Sequence, residues 1–170
     1  ASWNFDSPKT PPSKFTLATQ PQSAAKAENS AQSLLVDFGK ETFGYVNLHG
    51  LKGKGKVEIY YGESKEEALS EEHAETLDML DVNFSQKRDS TTELTKAFRY
   101  VNVKLPQGVS LDSVSMLYEY LPVADKGAFR CSDQEINRIY DVAKYTFHLS
   151  TREFFIDGIK RDRWIWSGDA

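Results

Sequence analysis

The sequence predicts a mainly β protein: an antiparallel β-sandwich that leads into one long amphipathic helix. Three observations carry this. Between Leu34 and Val123, short runs rich in β-branched and aromatic residues recur with glycines between them. After Gly127 the apolar spacing changes from two residues to three or four. No apolar run approaches the roughly 20 residues that a membrane-spanning helix needs, so membrane insertion is not expected.

Residues 1–32 are rich in Pro, Ser, Ala, Thr and Lys, with Pro8, Pro11, Pro12 and Pro21 breaking any periodic pattern. They read as a linker or surface arm, in which "WNF" and "KFTL" can dock on a neighbouring sheet. The sandwich is expected over 33–125. Its first strands are "SLLVDFG", "FGYVNLHG" and "KVEIYYGE". In the third, Val57, Ile59 and Tyr61 share one face and Glu58 and Tyr60 the other, the period of two that a half-buried strand requires. The stretch "GLKGKGK" supplies glycines for a tight reversal. The acidic segment "ESKEEALSEEHAETLDMLD" predicts a short helix or a long loop. Glu71, Glu72, His73 and Glu75 admit a metal-binding reading there, although charge runs of this kind ordinarily form a solvated face; no metal or cofactor is expected. "FRYVNVKL" and "SVSMLYEYLPV" follow, the latter with Val114, Met116, Tyr118 and Tyr120 on one side. Five or more strands with glycine-marked turns point to an antiparallel sandwich.

The helix is predicted over "CSDQEINRIYDVAKYTFHLST". Ser132 and Glu135 have the spacing of a capping box, in which each side chain satisfies a backbone donor at the helix start. Ile136, Tyr140, Ala143 and Phe147 then form one apolar stripe over about five turns. His148 reads as a helix-face or core residue. The stripe needs other helices to pack against. Residues 126–170 are therefore expected to be the truncated start of a helical domain that continues past Ala170.

The net charge of −4 and the scattered basic residues lack the electrostatic footprint of a nucleic-acid binder. A single cysteine, Cys131, excludes an intrachain disulfide and a multi-cysteine metal site. The first residues, "ASWNFDSPKT", carry no uncleaved secretory signal.

The run "DGIKRDRWIWSGDA" crowds Asp157, Asp162 and Asp169 together with Lys160, Arg161, Arg163, Trp164 and Trp166. A carboxylate among arginines is held ionised, whereas one pressed against an indole in a dry pocket has its pKa raised and can act as a general acid. Aromatic platforms beside paired carboxylates are what glycoside hydrolysis uses. The plainer alternative is a surface loop with an Arg–Asp network and structural tryptophans.

From about Leu35 onward the chain resembles the bacterial α-L-rhamnosidases. "VDFGKETFGYVNLHGLKGKGKVEIYYGE" is similar to the opening of the family's sandwich, "FRYVNV" to its marker strand, "GAFRCSDQEINRIYDVAKYT" to the approach to the first barrel helix, and "FIDGIKRDRWIWSGDA" to the active-site loop. The resemblance implies an inverting glycoside hydrolase built from jelly-roll-like β-sandwich domains and an (α/α)6 barrel. A rhamnose-bearing glycan or glycoside would be its partner, and the compartment periplasmic or extracellular. It also implies roles: Asp157 and Asp169 as ligands of sugar hydroxyl groups, with Arg161 and Trp166 completing the substrate site. The family's general acid is a glutamate after an Arg-Asp pair; here Arg163 follows Asp162 in a loop one residue shorter, which leaves Asp162 as the nearest acid. The general base belongs to a later part of the barrel, so the 170 residues alone are expected to be inactive. Two other classes remain open at this stage. One is a carbohydrate-binding sandwich with Tyr60, Tyr118 and Tyr120 as stacking platforms; the other is a structural module that binds nothing.

Overall fold

The structure, a computed structural model, describes residues 13–17, 32–152, 155–161 and 163. Its elements in chain order are β1 (Ser13–Leu17), β2 (Gln32–Gly62), α1 (Lys65–Leu69), β3 (Leu77–Thr91), β4 (Lys96–Leu105), β5 (Ser113–Tyr120) and α2 (Gln134–Ser150). The described β1–β5 form an antiparallel β-sandwich, with strand order β1-β5-β2-β3 and β4 also paired to β2. The "KFTL" segment expected to dock on a sheet is part of β1, beside β5.

β2 organises the sandwich. At roughly 3.3 Å per residue a straight strand of its length would reach about 100 Å, several times the radius of a small domain. It bends instead. Val103 of β4 pairs with Leu34 on one side and Ile59 on the other, so β2 leaves β4 and returns to it. In between, Gly44–His49 pairs with β5 and Asn47–Tyr60 with β3. The three strands read from the sequence are therefore three pairing segments of one bent strand.

The glycine-rich stretch does not make the tight hairpin reversal expected of it. The chain stays extended through Leu51–Lys56, with register shifts against β3 on either side of Leu51. Lys52 and Ser110 exchange backbone hydrogen bonds of 3.0 and 2.8 Å, so the bend keeps its polar backbone satisfied. Gly53 has φ +125°, and a Cβ there would collide with the Gly108 carbonyl. Only glycine permits so close an approach of the two backbones.

The acidic segment contains the expected short helix, but its end is already strand. Helix α1 is short, opened by the Ser64 side chain accepting from Glu67 N–H at 3.2 Å, and strand already begins at Leu77. β3 runs on to Thr91 as an edge strand with Val82 its one buried apolar residue. Leu80, Val82 and Phe84 alternate with exposed Asp81 and Asn83, whereas residues 85–91 include no apolar side chain and are held by backbone pairing to β2. The charges of this stretch also discourage pairing with foreign strands.

Inward faces alternate as read. Val57, Ile59 and Tyr61 are fully covered, as are Phe98, Val101 and Val103 of β4; Val114, Met116, Tyr118 and Tyr120 are buried. Phe98 meets Phe38 edge-on at 5.4 Å and Tyr61 at 5.3 Å between ring centroids. Tyr61 reaches the edge of this core, donating its hydroxyl to Asp78 at 2.6 Å, and Lys96 donates to the other oxygen of Asp78 at 3.1 Å. Burial, reinforced by the Asp78 charge, raises the Tyr61 pKa well above its ordinary value. The tyrosines considered as sugar platforms are interior: Tyr60, Tyr118 and Tyr120 are 7%, 3% and 1% exposed. A stacking platform has to present its ring to solvent.

Among the described residues the chain divides into two compact units, one within Phe15–Tyr118 and one from Glu119 onward. In the second, α2 begins one residue later than the expected cap. Asp133, not Ser132, accepts from Glu135 N–H at 2.8 Å and Ile136 N–H at 3.3 Å, which satisfies two orphan donors with one carboxylate. The predicted stripe has helical spacing but mostly faces outward: Ile136 and Phe147 are 46% and 56% exposed, Ala143 is exposed and Tyr140 half-buried, and Ile139 and Val142, outside the stripe, are more exposed still at 62% and 65%. What α2 buries is Asn137, His148 and Leu149.

Candidate functional site

The predicted site follows α2, and two side-chain clamps fix the helix that supports it. Asn137 accepts from Cys131 N–H and donates to the Cys131 carbonyl, both at 2.9 Å, so a buried amide holds the incoming chain like a short sheet ladder. Asp125 takes Lys144 at 2.5 Å on one oxygen and His148 at 3.1 Å on the other. The Lys144 hydrogen bond, helped by His148, keeps the Asp125 carboxyl below the usual carboxylate range. His148 is thus a buried, hydrogen-bonded helix residue, as its position in the sequence predicts.

At its C-terminus the helix is closed by the Thr151 hydroxyl, which donates to the Phe147 carbonyl at 2.6 Å. The chain then doubles back. Ile156 N–H donates to the Ser150 carbonyl at 2.9 Å, and Thr151 and Phe155 form an antiparallel bridge. This return brings the Phe155 ring within 5.1 Å of Phe147 and sets Asp157 on the rim of a cleft of about 390 Å³ against α2. Asp157 is exposed.

Gly158, at φ +59°, turns the chain away from the cleft, and its carbonyl accepts from both Arg161 and Arg163 N–H at 3.1 Å. Arg163 itself has φ +50°, a left-handed conformation that is uncommon for a residue with a side chain. Its Nε donates back to the Ile159 carbonyl at 3.1 Å. Asp157 and Arg161 therefore share one tight turn, with Arg161 exposed at its far side. Asp162, Trp166 and Asp169 lie outside the described residues. The arrangement presents an exposed carboxylate at a cleft that two phenyl rings also line.

Phe147 was legible only as part of a helical stripe, and Phe155 gave no signal; the chain reversal that pairs them is set by backbone hydrogen bonds. In the acidic segment Glu71 pairs with Lys104, and among the described residues no group of three His, Cys, Asp or Glu is arranged to hold a metal. No described helix is long and apolar enough to cross a membrane.

By its described residues the chain is an antiparallel β-sandwich followed by one capped helix and a return loop. The model of the bacteroidetes alpha-rhamnosidase-like N-terminal family matches residues 1–103, and the chain belongs to that family. Similar solved structures include a GH78 family rhamnosidase of Bacillus sp. GL1, with 21% identity and TM-score 0.72 over 89% of this chain and 16% of that one. A Klebsiella oxytoca rhamnosidase with rhamnose bound has 20% identity and TM-score 0.73 over 93% of this chain and 39% of its own. An α-L-rhamnosidase from Aspergillus terreus has 19% identity and TM-score 0.61, covering 94% of this chain and 20% of that one. At these identities the likeness is one of fold, and the chain spans well under half of each. No curated protein matches the chain.

Proposed function

We propose that this chain is the sandwich and leading helix of a glycoside hydrolase that removes terminal α-L-rhamnose from glycans or glycosides with inversion, in the periplasm or outside the cell. The observation that carries the proposal is the family match over 1–103 followed, in the right order, by α2 and the turn bearing Asp157 and Arg161. In this reading Asp157 and Asp169 bind sugar hydroxyl groups, Arg161 and Trp166 complete the substrate site, and Asp162 is the general acid. Inversion needs a second carboxyl group roughly 6.5–9.5 Å from the acid, with a water between base and sugar. In this reading that base belongs to the barrel of the parent protein, so the 170 residues by themselves do not cleave rhamnosides.

Within the parent, the sandwich is a structural module, not a sugar-binding one. The burial of Tyr60, Tyr118 and Tyr120 supports this, since it takes away the platforms a binding role would use. The test is aglycone release from an aryl α-L-rhamnoside, beside a panel of other aryl glycosides, by the longest natural form of the protein with this chain as control. Turnover of the rhamnoside by the long form alone is expected, and Asp162→Asn should abolish it without unfolding the protein. Full activity in Asp162→Asn would remove that residue as the acid.

A further inference from the structure

Away from the α2 loop, a Ser, a His and an Asp meet on the outer face of the sandwich. Three neighbouring strands bring them together. Asn47 of β2 is the partner of Ser115 in β5 and of Thr91 in β3, so the three residues form one row across the sheet. His49 stands two residues further along β2, on the same face. Its Nε2 lies 2.6 Å from the Ser115 hydroxyl oxygen and its Nδ1 3.0 Å from Asp89 Oδ2. The other oxygen of Asp89 accepts from Gly50 N–H at 2.9 Å. Gly50 is at φ +67°, and any side chain there would collide with Asp112.

The chemistry of the partners settles the tautomer. An ionised carboxylate can only accept, and the His49 and Gly50 hydrogen bonds hold Asp89 below its usual range and ionised. Nδ1 of a neutral His49 must therefore carry the ring proton, which leaves the Nε2 lone pair facing the Ser115 hydroxyl. This is the orientation in which a histidine takes a proton from a serine nucleophile. The Ser115 residue is 5% exposed, while the His49 and Asp89 side chains are 31% and 69% exposed. So little exposure of Ser115 leaves room for a small group only.

We propose that Ser115 is a base-activated nucleophile that takes an acyl group from small acyl esters, with His49 as general base and Asp89 as the positioning residue. This is independent of the rhamnosidase reading. In the first step Ser115 Oγ bonds to the carbonyl carbon as His49 Nε2 accepts the hydroxyl proton. The ester C–O bond then breaks, and His49 passes that proton to the departing alcohol. Water, deprotonated by His49, attacks the acyl-serine, releasing a carboxylic acid and restoring the hydroxyl. The β5 backbone beside Ser115 is engaged in the ladder with β2, so the site lacks paired donors for the tetrahedral oxyanion. One such donor is worth about 10²–10³ in rate. The expected behaviour is slow acylation that outpaces deacylation, not rapid turnover.

The test incubates the folded 170-residue chain with p-nitrophenyl acetate and, separately, with a small fluorophosphonate, from pH 5 to 9, and maps adducts by mass spectrometry. The expected result is one adduct per chain, on Ser115, forming faster at the alkaline end of this range than at the acid end. Ser115→Ala should lose that adduct. His49→Gln should slow it by about 10²-fold or more, the usual worth of a general base. Asp89→Asn should slow it less and change the pH profile, which a merely structural tie would not do. A folded wild-type chain that carries no adduct on Ser115 overturns the proposal, whatever the variants do. Equal labelling of wild type and His49→Gln overturns it too.

Discussion

The sandwich and helix α2 carry similar apolar side chains and use them in opposite ways. Ile59 in β2 is completely covered, whereas Ile139 in α2 is 62% exposed. Strands that pair with β2 on both sides close a core within the chain itself. The helix is held instead by polar clamps at Asn137 and Asp125, and its apolar stripe faces outward. The same hydrophobic pattern therefore stabilises one region now and marks the other as a surface awaiting cover, which in the proposed parent is the rest of the helical domain.

The contrast is sharpest in paired substitutions. Ile59→Ala should lower the free energy of unfolding by about 2–5 kcal/mol, because it removes buried methyl groups and leaves a cavity. Ile139→Ala should change it by less than about 0.5 kcal/mol. Urea unfolding of both would check this, and equal losses would mean that the helix face is buried in solution. Gly53→Ala should cost roughly 1–3 kcal/mol, since it forces a side chain into a left-handed conformation against the Gly108 carbonyl. A wild-type urea midpoint in that variant would show that the bend of β2 is not as tight as described.

Within the second unit, Asn137→Ala should cost about 1–2 kcal/mol from two lost hydrogen bonds and should speed amide exchange at Cys131. Exchange should also be slower throughout β4 than at 136–147 of α2, because the helix opens without disturbing a core. The effect of pH is also small. The folded pKa of Asp125 is depressed, so its contribution is fully present above the unfolded value near 3.8 and disappears as pH falls through the lower folded value. With the Asp125 side chain 42% exposed, the loss should stay under about 1 kcal/mol. Asp125→Asn should remove this acid limb from the α2 melting profile.

Legibility followed the same division. Val57, Ile59 and Tyr61, and likewise Val114, Met116 and Tyr118, were readable as inward-facing because alternation in a strand needs no knowledge of its partner. β3 was missed because its alternation, Leu80, Val82 and Phe84 against Asp81 and Asn83, is short, opens inside an acidic run that reads as a loop, and gives way to the wholly polar residues 85–91, which backbone pairing alone holds as strand. The helix cap shifted by one residue because Ser132 and Asp133 are both good caps, and only the backbone path selects between them. Asp157 and Arg161 were singled out by their motif, and the structure joins them in one tight turn; the phenyl pair beside Asp157 depends on a chain reversal that no local pattern announces.

By itself the sequence determined which faces of its strands turn inward, that one long helix follows them, and which family the order of its motifs resembles. These follow from covalent geometry, which gives each element its period whatever surrounds it. Tertiary structure alone decided that β2 leaves β4 and returns, that the apolar stripe of α2 stays outside, and that His49 meets residues 40 and 66 positions away. Contacts that distant in sequence exist only once the register between strands is set, and register is a property of the assembled sheet rather than of any one segment.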